Sequence, residues 1–193
     1  MTRRLGLLLV LLLSLPAAAL AATLKVATWN MEWFTLRPAG DPSLPPSVRP
    51  KRPEDIARLR AYADILNADV VAMEEVDGPV PAAEVFTPDR YVLHFTADHV
   101  VQRVGLAIRR SIPFTANPDV TALDPYSPDA PEQLRSGADV TLHLGGANLR
   151  ILAVHLKTGC WEVPLDSSRP ACAVLREQLP VIESWIAARR AAG

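Results

Sequence analysis

Apolar residues recur along this chain in distinct rhythms, and each rhythm predicts an element. From Leu24 to Asn30 the period is two: Leu24, Val26, Thr28 and Asn30 share one face of a strand, and Asn30 stands where the row turns polar. Val70-Val71-Ala72-Met73 is apolar throughout and partly β-branched, which predicts a strand over Asp69 to Glu75 buried on both faces. That strand ends in two carboxylates, Glu74 and Glu75, followed by the turn Asp77-Gly78-Pro79. Between the two strands Ile56, Leu59, Ala63 and Leu66 fall at helical spacing. Pro53, Glu54 and Asp55 open this helix and Asn67 closes it. A strand–helix–strand unit closes as a right-handed crossover with parallel strands. Asn30 and Glu75 then lie at one end of the sheet, where α/β proteins gather ligands.

The segment from Pro38 to Pro53 holds six prolines and reads as an exposed, semi-extended loop. Beyond Pro81 the pattern becomes an antiparallel meander. Tyr91 to Thr96 pairs with Arg103 to Arg109, and a proline-rich stretch, Pro113 to Pro131, carries a weak strand or turn near Val120. Arg135 to Leu144 and Leu149 to His155 form a hairpin across Gly145-Gly146, so His155 ends an apolar row as Asn30 does. A final helix spans about Ala173 to Ala192, with Leu175, Leu179, Ile182 and Ile186 as its stripe, Trp185 beside it, and Pro180 as a kink.

Composition changes this picture at the N-terminus. Arg3 and Arg4, the apolar run Leu5 to Leu15, and Ala19-Leu20-Ala21 make a signal peptide over residues 1–21. A membrane anchor is the rival, since Leu5 to Ala22 carries no charge; Ser14, Pro16 and the alanines favour cleavage, leaving no stable membrane span. Export to a periplasmic or secreted location follows. Cleavage removes two arginines and no acid, so the remaining 172 residues carry a formal charge of -3. That excludes a broad basic field for sequence-independent capture of nucleic acid. In an exported chain Cys160 and Cys172 read as a disulfide rather than a metal pair. The 13-residue loop they close contributes about 3 kcal/mol in the loop-entropy account.

Four segments in order, Val26-Ala27-Thr28-Trp29-Asn30, Asp69 to Val76, Val104 to Ile108 and Val154-His155-Leu156-Lys157, resemble the endonuclease/exonuclease/phosphatase superfamily. It comprises metal-dependent phosphohydrolases, among them deoxyribonuclease I-like nucleases and bacterial sphingomyelinases. The resemblance implies an α/β fold built as a four-layer α/β/β/α sandwich. It makes Glu75 the ligand of Mg²⁺, or of Mn²⁺ or Ca²⁺ in its place. Asn30 would contact the phosphate or the metal shell, against a plain reading as a turn asparagine. His155 would serve the leaving oxygen, against a plain reading as a satisfied core histidine. Arg135 resembles a phosphate-facing arginine and Lys157 a further substrate contact; a solvated side chain is the default for both. Glu74 is either a hydrogen-bond acceptor behind the ligand or simply solvated.

The resemblance also marks what this chain lacks. Family members carry a Gly-Asp-x-Asn strand, a further aspartate and a Ser-Asp-His after the helix that corresponds to Cys172 to Arg190; none of these occurs here. Residues 22–193 are therefore expected to be an incomplete domain, the first mixed sheet with flanking helices, open to docking of a missing C-terminal half. Two readings follow. One is a Mg²⁺-dependent phosphoesterase acting on nucleic acid, a phospholipid head group or a small phosphoester, inactive in this form. The other is an exported, non-catalytic binding or subunit protein that uses the exposed sheet face.

Overall fold

The computed structural model describes residues 23–127 and 129–192; the signal peptide expected over 1–21 lies outside them. Two sheets stack face to face. The first has strand order β1-β2-β4-β3, from β1 (Val26–Phe34), β2 (Val70–Val76), β3 (Tyr91–Phe95) and β4 (Arg103–Arg109). β1 and β2 run parallel, as the crossover through α1 (Pro53–Leu66) requires, and the other pairs are antiparallel. A short helix α2 (Pro79–Ala83) follows β2, where the sequence suggested a turn. The second sheet is antiparallel, with order β5-β6-β7: β5 (Phe114–Ala116), β6 (Ala138–His143) and β7 (Asn148–Ala153). The chain ends in α3 (Pro170–Ala191).

Alternation in β2 explains the layering. Val71 and Met73 point to the α1 side and pack with Phe34, Phe86 and Tyr91, while Ile56, Leu59 and Leu66 close that layer from α1. Val70 and Ala72 point the other way and meet Val140, Leu142 and Ala153 of the second sheet, with Leu106 and Ile108 alongside. The fold is thus α/β, with helix, mixed sheet, antiparallel sheet and helix in sequence. The hairpin belongs to a sheet of its own, which periodicity alone does not reveal, because its apolar rows would suit either sheet.

The terminal helix departs from expectation. It begins at Pro170, a proline-first start, and buries Cys172, Val174 and Gln178, whereas Ile186 of the expected stripe is 40% exposed. Polar groups seat it. The Gln178 amide donates to the Leu123 carbonyl at 2.7 Å and accepts from the Lys157 N–H at 2.9 Å. Trp185 Nε1 donates to Asp139 Oδ2 at 2.8 Å. Asp139 also takes both Arg150 bonds, at 2.6 and 2.8 Å, and one from Asn117 at 3.1 Å. The disulfide Cys160–Cys172 ties the loop after β7 to the start of α3. No helix among the described residues is long and apolar enough to cross a membrane.

One side of the sandwich is open. His94 of β3 meets Phe114 of β5 with ring centroids 6.5 Å apart, so those two edges lie together and β1 and β7 form the opposite edge. On that edge the rows facing the other sheet are only partly covered: Val26 is 50% exposed and Leu149 40%.

Burial pushes the Asp139 carboxyl up, but its hydrogen bonds from Arg150, Trp185 and Asn117 outweigh that and leave it below the usual range. Its stabilisation is therefore complete above the unfolded value of about 3.9 and is lost as pH falls through the folded one. Asp139→Ala should cost about 3 kcal/mol at pH 7 in urea unfolding, since it strands Arg150 and the Trp185 N–H. The difference from the parent should shrink below pH 3.9, roughly where the unfolded carboxyl protonates.

Candidate active site

Three chain segments meet at the open rim, and a break in strand geometry makes them meet. β1 and β2 run in step up to Asn30 opposite Glu74, then lose register, so that Phe34 stands opposite Val76. Across the same point β2 gains a residue against β4. The slack is taken up by left-handed residues: Glu32 (φ 48°), Trp33 (φ 51°) and Glu75 (φ 60°). Strict alternation would aim Glu75 at the α1 side, the face of Val71 and Met73. The left-handed turn instead brings it to the rim shared with Asn30, while Val76 returns to the core. Such a conformation costs a non-glycine residue on the order of 1–3 kcal/mol and is concentrated at functional sites.

The Glu75 carboxylate is held from several sides. Asn30 Nδ2 donates to Oε1 at 3.0 Å and the Trp33 N–H to Oε2 at 3.2 Å, while His155 Nε2 stands 3.6 Å from Oε1. Gln102 adds a side-chain hydrogen bond. Asn30 Oδ1 in turn accepts from the Glu32 N–H at 2.9 Å, closing the bulge upon itself. Burial raises the Glu75 carboxyl, but the bonds from Asn30 and Gln102, with His155 and Trp33, carry it below its ordinary value. It is a carboxylate at neutral pH.

His155 lies just past β7, reaching the rim from the second sheet. Burial and the Arg135 charge push its pKa down to about 4, against the pull of Glu75. The imidazole is neutral at pH 7, so its contact with Glu75 is polar rather than ionic. Its Nδ1 is buried without a hydrogen-bond partner. Arg135 is not the solvated side chain that its sequence context suggests. Its Nε is buried and unpartnered; burial lowers its pKa, opposed by Glu75, Asp98 and Asp124. With Trp33, Ser43, His99 and Gln102 it lines a cavity of about 250 Å³. A larger cavity, about 740 Å³, is lined by Glu32, Trp33, Lys51 and Glu75.

Asn30, Glu75, His155 and Arg135 are thus brought together. Among the described residues Lys157 makes no hydrogen bond or ion pair to them; its backbone N–H is committed to Gln178. Glu74 is not free in solvent either: Thr28 Oγ1 donates to it at 2.6 Å on the face toward the second sheet. Trp33 and Gln102 were not among the expected site residues, because their place at the rim follows from the register breaks around Glu75 rather than from residue order.

Among the described residues no group of three or more histidine, cysteine or acidic side chains is arranged for a metal ion. Glu75 still suits a hard cation of the Mg²⁺ type, which keeps several waters and takes one or two carboxylates. The Asn30 oxygen is already used by Glu32, so its amide positions the carboxylate. No protein-family model and no curated protein matches the sequence. Among solved structures, truncated Caenorhabditis elegans TDP2 is similar at TM-score 0.39 and 11% identity, over 53% of this chain and 40% of that one. The chain spans well under half of that structure, and a likeness this small supports no argument about function.

Two outcomes follow from the geometry. Asn30→Ala should raise the Glu75 pKa in a carbon-13 carboxyl NMR titration, because the first of its offsetting hydrogen bonds is lost. Glu75→Gly should be more stable than Glu75→Ala by about 1 kcal/mol in thermal unfolding, since glycine accepts the left-handed turn without strain.

Proposed function

We propose that this chain carries the carboxylate half of a Mg²⁺-dependent phosphoesterase site of the endonuclease/exonuclease/phosphatase kind, acting on phosphodiester or phosphomonoester bonds. The observation that carries the reading is the convergence of Asn30, His155 and the partly buried Arg135 on the left-handed Glu75. Glu75 is the residue to hold Mg²⁺, with Mn²⁺ or Ca²⁺ as substitutes. A bound ion of this type blunts the negative charge of a phosphate ester.

The chain's own residues supply the rest. Asn30 fixes the carboxylate rotamer and, with Trp33, keeps it ionised. Arg135 offers a guanidinium whose Nε has no partner, suited to a phosphate oxygen. His155 presents an uncharged ring that can give a hydrogen bond to a leaving oxygen. A base for the attacking water is not among them, since His155 faces Glu75. Turnover by this chain alone is therefore expected to be negligible. The Cys160–Cys172 bond supports an oxidising compartment, hence export to the periplasm or medium.

The test is cation binding, with activity as the second readout. Mn²⁺ should broaden NMR signals around Glu75, Asn30 and Trp33, and Glu75→Ala should abolish the effect. Unchanged broadening in that variant refutes the assignment. Cleavage of bis-p-nitrophenyl phosphate with Mg²⁺ should stay at the buffer rate; turnover lost in Glu75→Ala would show a complete active site instead. The half-exposed Val26 and Leu149 favour a second reading, a subunit whose open edge docks another polypeptide.

A further inference from the structure

The cavity of about 740 Å³ beside Glu75 is also walled by the proline-rich segment before α1, from Ser47 to Arg52. Three cations stand in this wall, and they are not equivalent. Arg52 is spent on its neighbours, meeting Glu54 and Asp55 each at 3.0 Å. Arg49 donates instead to the carbonyls of Pro46 and Val48, at 2.7 and 3.2 Å. Lys51 donates to the carbonyl of Glu32 at 2.7 Å. Carbonyls hold these two side chains in place without cancelling their charge. Lys51 is half-buried, and burial lowers its pKa against the weaker pull of Glu32, Glu75 and Asp55. A cation kept partly out of water without a carboxylate partner is costly unless something anionic completes it. Pro45, Pro46 and Pro50 stiffen the segment, so little order remains to be gained when a ligand arrives.

We propose that Lys51 and Arg49 form a second anion subsite beside Glu75, which takes a phosphate carried by the substrate next to the ester to be cleaved. This rests on the phosphoesterase reading and narrows it to compounds with two neighbouring phosphates. Arg49 offers a planar fork for phosphate oxygens and Lys51 a point charge.

Calorimetric titration of the full chain in Mg²⁺ buffer tests this without needing turnover. The probes are a thymidine dinucleotide with and without a 5′-phosphate, and 2,3-bisphosphoglycerate against 3-phosphoglycerate. In at least one pair the parent should bind the doubly phosphorylated member at least ~10-fold more tightly, as expected for a charge-assisted contact; which pair shows it identifies the scaffold. Lys51→Gln with Arg49→Gln should erase that preference and leave the singly phosphorylated partner unchanged. Glutamine can still donate to the Glu32 carbonyl, so the bulge keeps its support. No preference in either pair, absence of binding included, overturns the proposal. Equal weakening of both members of a pair also overturns it, since Lys51 would then serve only to brace the bulge. Failure of the phosphoesterase reading shows separately, as Mn²⁺ broadening indifferent to Glu75→Ala.

Discussion

The hydrogen bond from Asn30 to Glu75, made across a deliberate loss of register, is the contact on which the rim depends. Parallel strands with intact pairing would send consecutive side chains to opposite faces and separate the two acids of β2. Here Glu32, Trp33 and Glu75 adopt left-handed backbone, and the carboxylate turns toward the rim. The strain is met by local bonds: Asn30 joins both Glu75 and the Glu32 N–H, and the Trp33 N–H takes the second carboxylate oxygen. Downstream, Asp77 binds Thr35 at 2.8 Å and Arg37 at 2.7 Å, so the chain leaving β1 is tied to the chain leaving β2.

Protonation at this rim is set by partial burial and by hydrogen-bond donors. Glu75 is kept ionised by donors rather than by a full ion pair, and Arg135 and Lys51 both act on it from a distance. His155 is forced neutral by burial and by Arg135. A buried guanidinium nitrogen and a buried ring nitrogen remain without partners. Unsatisfied polar atoms of this kind are uncommon in folded proteins.

The second sheet makes this arrangement possible. His155 reaches Glu75 only because β7 lies over the β1–β2 side, and β7 is fixed there by β6 and by the outer helix. That helix is seated by Gln178 and Trp185 rather than by an apolar stripe. Asp139 therefore links the far layer to the strand hairpin that delivers the histidine.

Local rules carried much of the reading. Period-two and period-3.6 patterns located both β1 and α1, the buried strand β2, the two antiparallel pairs and the last helix, because burial on one face leaves a direct trace in residue order. The parallel crossover placed Asn30 and Glu75 at one sheet end, and the expectation of export made the cysteine pair a disulfide, which the structure bears. Other features depended on contacts remote in sequence. The left-handed turn at Glu75, the burial of Arg135, the bond from Thr28 to Glu74 and the stacking of the hairpin as a separate sheet are decided by which surfaces meet. Residue order records how a segment buries its own face. It does not record which distant charge or strand edge will lie against it, and at this rim that neighbour sets both protonation and direction.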